Sequence, residues 1–165
     1  MKNHVFIIQA HAYPALLSRM VRRLSAPNHY FIIHIDAKAD IHPFCESIGA
    51  VDNVFFAEKR IVVNHGGFSQ IECTVNMLRE IVERKIPYDY VHLLSGQDYP
   101  IVTNEMFDAF FEKGTNSYMH FDSEEEHQQW KDTKYKERYM YYHYNDYPCL
   151  STHTHTHTRR RLNCV

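Results

Sequence analysis

Short apolar runs alternate along this chain with segments whose apolar residues recur at helical spacing, and this alternation restricts the fold more than any other feature. Runs of this length, bounded by polar or turn-forming residues, predict buried strands, and the segments between them predict helices. The predicted strands are residues 5–9, 30–35, 54–56 and 90–94, with a short helix at 44–48. Because a helix between two strands returns the chain to the same edge, this order favours an α/β fold with a mostly parallel sheet flanked by helices.

Caps and apolar spacing predict three longer helices. Pro14 suits the first turn of the first helix, and Ser69 with Glu72 forms the capping box of the second. Thr103 or Asn104 can cap the third. Apolar residues recur at helical spacing along the first two helices, at Leu16, Leu17, Met20, Val21 and Leu24 and at Ile71, Val75, Leu78 and Val82.

Polar residues stand near the ends of the predicted strands, where a parallel sheet opens a crevice. His11 follows the first strand, Asp36 the second and Ser95 the fourth, while His65 precedes the second long helix. In open parallel sheets, ligands bind outside the carboxyl ends of the strands. We therefore expect His11, Asp36, His65 and Ser95 to converge on one ligand crevice.

The composition is that of one globular domain, and it excludes some partners. The chain has 165 residues, of which 44% are hydrophobic and 23% charged, enough for a sizeable core. A formal net charge of −2 gives no electrostatic basis for binding nucleic acid or an anionic membrane. The apolar run at residues 5–10 is too short for a membrane segment or a signal peptide. The four cysteines form no CxxC pair, which favours reduced thiols.

Four short motifs follow one another along the chain. They are Ile7-Ile8-Gln9-Ala10-His11, His34-Ile35-Asp36-Ala37-Lys38, His65-Gly66-Gly67-Phe68-Ser69 and Ser95-Gly96-Gln97-Asp98-Tyr99-Pro100-Ile101. Their composition, order and spacing resemble the Core-2/I-branching glycosyltransferase family, which also includes peptide O-xylosyltransferases. Each motif alone is a weak signal, whereas the ordered set is specific, and it covers about residues 4 to 145.

The resemblance implies a GT-A-like nucleotide-sugar fold and an inverting glycosyltransferase. Such an enzyme transfers N-acetylglucosamine or xylose from a UDP-sugar donor to a hydroxyl of a glycan or glycoprotein acceptor. The resembled family is metal-independent, and this chain has no Asp-x-Asp motif to hold a divalent ion, so we expect no metal and no cofactor. The alternative is a non-catalytic module of the same fold that binds a nucleotide or a sugar.

The resemblance also assigns donor-side residues. In the family, the Asp-x-Lys segment contacts the nucleotide, backbone atoms at the first strand end hold the base, and a Trp or Tyr stands where this chain has His65. The implied donor-side residues are Gln9, Ala10, His11, Asp36, Ala37, Lys38 and His65. The other interpretation of Asp36 is a strand-end acid paired with Lys38, and that of His11 is a helix cap or a packing residue.

The implied acceptor-side residues are Ser95, Gln97, Asp98 and Asp122. Ser95 to Asp98 match the family motif beside the reacting sugar. A structural turn, in which Asp98 bonds the backbone ahead of Pro100, is the other interpretation. Asp122 falls near an acceptor-binding carboxylate of the family and residues 134–138 near its basic contacts, although solvated surface charges would look the same.

From residue 148 the sequence departs from the family pattern. Residues 152–158 alternate Thr and His, as a CA dinucleotide repeat would encode, although a zinc-binding histidine tract is also conceivable. We expect residues 1–147 to form the donor-binding part of a glycosyltransferase domain and residues 148–165 to form a non-homologous low-complexity tail. In the family the general-base Glu comes later, and no carboxylate follows Asp146 here. No catalytic residue is therefore assigned, and we expect this chain to be truncated and inactive.

The start of the chain bears on its location. Eukaryotic members of the resembled family are usually Golgi type II membrane proteins. This chain begins almost on its first predicted strand, as short bacterial members do. The expectation is a cytoplasmic protein, with the Golgi membrane as the alternative if an anchor precedes this sequence.

Overall fold

The computed structural model describes residues 1–114, 117–118 and 123, together with the backbone of residues 141–143 and 159–161. Two compact units are present, Met1–Val63 with Ser69–Thr115 and Asn64–Phe68 with Asn116–Val165. The described elements of the first unit are β1 His4–Ala10, α1 Pro14–Leu24, β2 His29–Ile35, α2 His42–Ile48, β3 Val54–Phe56, α3 Ser69–Glu83, β4 Tyr90–Ser95 and α4 Asn104–Glu112. Every predicted strand and helix is confirmed, with ends shifted by one or two residues at most.

The first unit is built on a parallel sheet in the order β3-β2-β1-β4. The strands β1 and β2 lie in its centre and are almost continuously apolar, as expected for strands covered on both faces. Ala10 pairs with Ile35, and Gln9 pairs with Ser95, so the carboxyl ends of three strands lie level. The predicted α/β class is confirmed, and it is consistent with a GT-A-like glycosyltransferase domain.

Helices cover both faces of this sheet. On one face, side chains of β1 and β2 pack against α1, α2 and Phe107 of α4. The predicted apolar stripe of α1 accounts for much of this layer, since Leu17, Met20, Val21 and Leu24 are buried. On the other face, apolar residues of β1 and β2 pack against one side of α3; these residues are Val5, Ile7, Ile32, Cys73, Met77 and Ile81.

The orientation of α3 differs from what its apolar repeat suggests. Ile71 and Val82, the first and last residues of that repeat, are 58% and 63% exposed, and the two between them are exposed as well. The helix is apolar on two sides, and polar contacts decide which side faces the sheet. The Gln9 side chain donates to Thr74, and Glu80 accepts from the backbone of Glu58. These bonds hold the side of α3 that carries Cys73 against the sheet.

The second unit contains a short antiparallel pair, β5 Tyr141–His143 and β6 Arg159–Arg161. The strand β6 falls within the segment predicted to be a tail, whereas residues 152–158 lie outside the described residues. Among the helices that the structure describes, none combines the length and the apolar character needed to cross a membrane.

Candidate functional site

Polar groups meet at the edge of the sheet where β1, β2 and β4 end. The backbone N–H of Asp36 donates to the Ala10 oxygen over 2.8 Å, and that of Gly96 donates to the Gln9 oxygen over 2.8 Å. The structure thus brings together the residues that follow β1, β2 and β4. His65 belongs to the second unit, near a turn in which Gly67 donates to the Asn64 oxygen, and is not counted in this cluster.

The strand order places a topological switch point at this edge. From β1 the chain moves outward through β2 to β3, and it then returns across the sheet to β4 on the other side of β1. In open α/β sheets, ligands bind in the crevice where the strand order reverses. Here that crevice lies between β1 and β4, with the end of β2 directly beside it.

Gly96 permits the close approach of β4 to β1 at this crevice. A Cβ atom at position 96 would lie 2.5 Å from the Cβ of Ala10 and 3.1 Å from its Cα. Such distances are far inside van der Waals contact, so any side chain here would push the two strand ends apart. The close contact with Ala10 therefore explains why the Ser-Gly-Gln-Asp motif has a glycine at position 96.

Asp36 is a buried carboxylate at the end of β2. Only 6% of the residue is exposed. Its Oδ1 accepts from the backbone N–H of Lys38 over 2.9 Å, and its Oδ2 lies 3.5 Å from Lys38 Nζ. The pairing with Lys38 that the sequence left open is thus present. An ionised carboxylate offers about four acceptor positions, so Asp36 can still accept from a ligand.

Arg60 holds the loop after β2, and no sequence signal points to it. Its guanidinium donates to three backbone oxygens, those of Ile35 at 2.9 Å, Asp36 at 2.8 Å and Ala39. A planar fork of N–H donors suits several fixed acceptors at once, which a lysine cannot match. No motif surrounds Arg60 in the sequence, and its partners lie more than twenty positions earlier, so only the fold reveals the contact.

His34, on β2, supports the same loop through Ile61. It is 1% exposed, and its Nε2 accepts from the backbone N–H of Ile61 over 3.0 Å. The Ile61 oxygen in turn accepts from the N–H of Ala37 over 3.0 Å. Burial lowers the pKa of His34 below its ordinary value, which favours the neutral ring that this acceptor role requires.

Gln9 and its neighbours are already engaged in structural contacts. The Gln9 side chain donates to the Gln70 oxygen at 3.0 Å and to Thr74 Oγ1 at 2.8 Å, tying β1 to α3. The backbone oxygens of Gln9 and Ala10 accept from the neighbouring strand ends. His11 is exposed at this edge. Contact of a ligand with the backbone of this segment therefore stays a prediction.

Ser95 to Asp98 form a turn that Asp98 stabilises. Asp98 Oδ2 accepts from the backbone N–H of Ser95 over 2.8 Å, and the Asp98 N–H donates to the Ser95 oxygen over 3.0 Å. The side chains of Ser95, Gln97 and Asp98 are exposed beside the crevice. The structural interpretation of Asp98 is therefore observed, and its acceptor-side role stays a prediction.

Two other sequence predictions concern residues beyond this cluster. Asp122 and residues 134–138 lie outside the described residues. Cys45 and Cys73 are free thiols, whereas Cys149 and Cys164 lie outside the described residues, so the expectation of reduced cysteines stays a prediction. Burial raises the pKa of Cys73 to about 12, so this thiol is not a nucleophile at neutral pH.

Comparison with known proteins identifies the family. The family model for the Core-2/I-Branching enzyme matches residues 4–160, which extends into the predicted tail; the boundary at residue 147 stays a prediction. The chain is 31% identical over 103 residues to the pig protein named probable beta-1,3-galactosyl-O-glycosyl-glycoprotein beta-1,6-N-acetylglucosaminyltransferase 7, covering 61% of this chain and 24% of that protein. It is 31% identical over 120 residues to the beta-1,3-galactosyl-O-glycosyl-glycoprotein beta-1,6-N-acetylglucosaminyltransferase of Bovine herpesvirus 4 (strain DN-599), covering 68% and 27%.

A human relative, N-acetyllactosaminide beta-1,6-N-acetylglucosaminyl-transferase, is 28% identical over 102 residues, covering 60% of this chain and 25% of that protein. The chain thus spans about a quarter of the length of the curated relatives it matches. Because the family model matches nearly its whole length, this chain belongs to the Core-2/I-branching enzyme family.

Proposed function

We propose that this chain is the donor-binding part of a glycosyltransferase that transfers N-acetylglucosamine from a UDP-sugar to a hydroxyl of a glycan or glycoprotein acceptor. Family membership supports the reaction class. The names of the relatives favour N-acetylglucosamine over xylose as the sugar. The observation that carries the proposal is the buried Asp36 beside a switch-point crevice.

Asp36 suits the hydroxyls of a ribose or the N–H of a uracil. A buried carboxylate with unused acceptor positions prefers a ligand that donates hydrogen bonds, because charge-assisted bonds are the stronger ones. Arg60 and His34 fix the loop that carries Asp36, so little conformational entropy is lost when a ligand binds there. Lys38, at the mouth of the same loop, can attract the diphosphate.

Transfer with inversion and without a metal completes the proposal. No Asp-x-Asp motif occurs in the sequence, and basic side chains would neutralise the diphosphate instead. A carboxylate base would deprotonate the acceptor hydroxyl for direct attack on the anomeric carbon. None of the described residues is assigned that role, and the 165-residue polypeptide is expected to bind a donor without transferring it.

Calorimetry with UDP tests this proposal, using Asp36→Asn and the matched control Asp52→Asn. Asp52 is exposed and lies just before β3, at the edge of the sheet opposite the crevice. Loss of a charged hydrogen bond predicts a UDP affinity about tenfold or more lower for Asp36→Asn, with no change for Asp52→Asn. Adding Mg²⁺ or Mn²⁺ should not change the affinity of the unsubstituted chain.

Equal affinities of the two variants would refute the assignment of Asp36, and a requirement for a divalent ion would refute metal independence. A transfer assay with UDP-N-acetylglucosamine separates the enzyme from the non-catalytic module. It needs the longest native polypeptide that carries this chain. Donor binding without transfer by that longer protein would favour the module.

A further inference from the structure

Three histidines and an aspartate meet at the opposite edge of the sheet, where its strands begin. His4 is the first residue of β1, His29 is the first of β2, and the two are paired in register. Asp108 reaches them from α4, and His92 of β4 lies beside His4. The side chains of His4 and His29 are fully buried, and that of Asp108 is 19% exposed. The proposed donor chemistry uses none of these residues.

The hydrogen bonds of His29 direct one ring nitrogen at Asp108. Its Nδ1 lies 2.6 Å from the Leu24 oxygen, near the end of α1, and must donate there because a carbonyl oxygen only accepts. In the neutral ring, Nε2 then carries the lone pair, and it lies 2.8 Å from Asp108 Oδ1. A carbonyl bound at one nitrogen is also what orients a histidine that ligates a metal through the other.

His4 presents a second nitrogen to the same point. Its Nδ1 lies 3.0 Å from His92 Nε2, while its Nε2 is buried and has no hydrogen-bond partner. That Nε2 is 3.6 Å from Asp108 Oδ1. A buried polar atom without a partner is rare and needs an explanation. A cation between His4, His29 and Asp108 would provide it.

We propose that one zinc ion is bound by His4 Nε2, His29 Nε2 and Asp108 Oδ1, with a water as the fourth ligand. Neutral imidazoles and a carboxylate are ligands that suit zinc. The three atoms lie within 4.8 Å of one another, and tetrahedral zinc requires a spacing of about 3.3 Å. Small rotations of the three side chains are enough to close that difference.

The surroundings would hold such an ion in place. The rings of Phe107 and Phe111 lie 5.2 Å and 5.3 Å from that of His4 and cover part of the site, which limits the routes by which an ion can leave. Such an ion would tie α4 to the first residues of both central strands. It is separate from any divalent ion on a donor diphosphate, which would sit at the other edge.

The experiment must exclude the histidines of the Thr-His segment, which can also bind zinc. We would use the full chain with His153, His155 and His157 changed to Ala. In this background, Asp108→Asn keeps a side chain of the same shape that can hydrogen-bond His29 Nε2, but it removes the charge of the ligand. The matched control is Asp52→Asn, and His4→Gln is a second test variant. Readouts are zinc content, zinc affinity by competition with a chromophoric chelator, and thermal unfolding with and without zinc.

The expected result is one zinc per chain in the histidine-substituted background and a higher unfolding temperature when zinc is added. Asp108→Asn and His4→Gln should each bind zinc about tenfold or more weakly, with the control unchanged. Circular dichroism of the zinc-free proteins confirms that each variant is folded, and the visible spectrum with Co²⁺ reports tetrahedral coordination. Absence of zinc from the substituted chain, or equal affinities of Asp108→Asn and Asp52→Asn, would overturn the proposal. Neither outcome depends on UDP binding.

Discussion

The arrangement of the sheet edge where β1, β2 and β4 end depends on a few single residues whose roles are steric or electrostatic. Gly96 is the plainest case, because a methyl group added at this position would lie 2.5 Å from Ala10 Cβ, where there is no room for one. Asp36 and Arg60 form the other fixed point, because Asp36 carries the buried carboxylate and Arg60 holds the loop on which it lies. Gly96 and Asp36 directly follow strands that end at the crevice, so a small displacement of either residue would change the shape of the crevice.

Gly96→Ala should therefore lower both the stability of the chain and its affinity for UDP. Overpacking of this kind costs about 1–3 kcal/mol, measured by urea unfolding. Gly49→Ala is the contrast, since Gly49 has a φ of +77° and open space at the position where a Cβ would be added. That variant should lose stability through backbone strain but keep the UDP affinity. Unchanged stability of Gly96→Ala would mean that the two strand ends are farther apart than described.

His34 makes the stability of this edge depend on pH. Its folded-state pKa is lowered by burial, so the unfolded chain takes up a proton at a higher pH than the folded chain does. Its stabilising contribution is thus complete above the unfolded pKa of about 6.5 and is lost as the pH falls below that value.

The corresponding measurement is the free energy of unfolding between about pH 7.5 and pH 5, for the unsubstituted chain and His34→Gln. Glutamine keeps an oxygen that can accept from Ile61 but does not titrate. The unsubstituted chain should lose stability more steeply on acidification than the variant. Other buried histidines contribute equally to both proteins, so the difference reports His34; parallel curves would contradict the pKa direction.

At the scale of elements, α3 shows how a helix with two apolar sides is oriented by its polar contacts. Cys73 and Met77 face the sheet, while Ile71 and Val82 face outward. Gln9, by bonding Thr74, helps to select between these orientations. The sequence repeat identified the helix but not its buried side.

Substitutions on the two sides of α3 should therefore have very different effects. Val82→Gln should change stability by no more than about 0.5 kcal/mol and reduce self-association at high concentration, because it removes exposed apolar surface. Met77→Ala should cost about 2–5 kcal/mol, because Met77 is fully buried. Urea unfolding and light scattering measure the two effects. A large cost for Val82→Gln would show that this side is packed.

The elements were predictable from local patterns, whereas the contacts between distant segments were not. The alternation of strands and helices predicted the parallel sheet, and the polar strand ends predicted that His11, Asp36, His65 and Ser95 would cluster at one edge. His11, Asp36 and Ser95 do lie at that edge, whereas His65 belongs to the other compact unit. Arg60 was missed because its partners are remote in sequence and no motif marks it. The group of His4, His29 and Asp108 was missed for the same reason, since only the strand register and the packing of α4 bring it together.

At the scale of the whole molecule, the sheet has two chemically distinct edges. Its carboxyl-end edge carries the Asp36 loop and the Ser95 turn, and its amino-end edge carries the buried histidines. The proposed donor site lies at the carboxyl-end edge, where the strand order creates the switch point. A nucleotide should therefore affect one edge and leave the other unchanged.

Backbone amide NMR of the 19.7 kDa chain, titrated with UDP, tests this account most directly. The predicted result is a set of shifted amides confined to His11, Asp36 to Lys38 and Ser95 to Gln97, with those of His4, His29 and Asp108 unshifted. The same titration with Asp36→Asn should require a higher UDP concentration for equal shifts. Shifts centred on His4, His29 and Asp108, or no shifts at millimolar UDP, would contradict donor binding at the carboxyl-end edge.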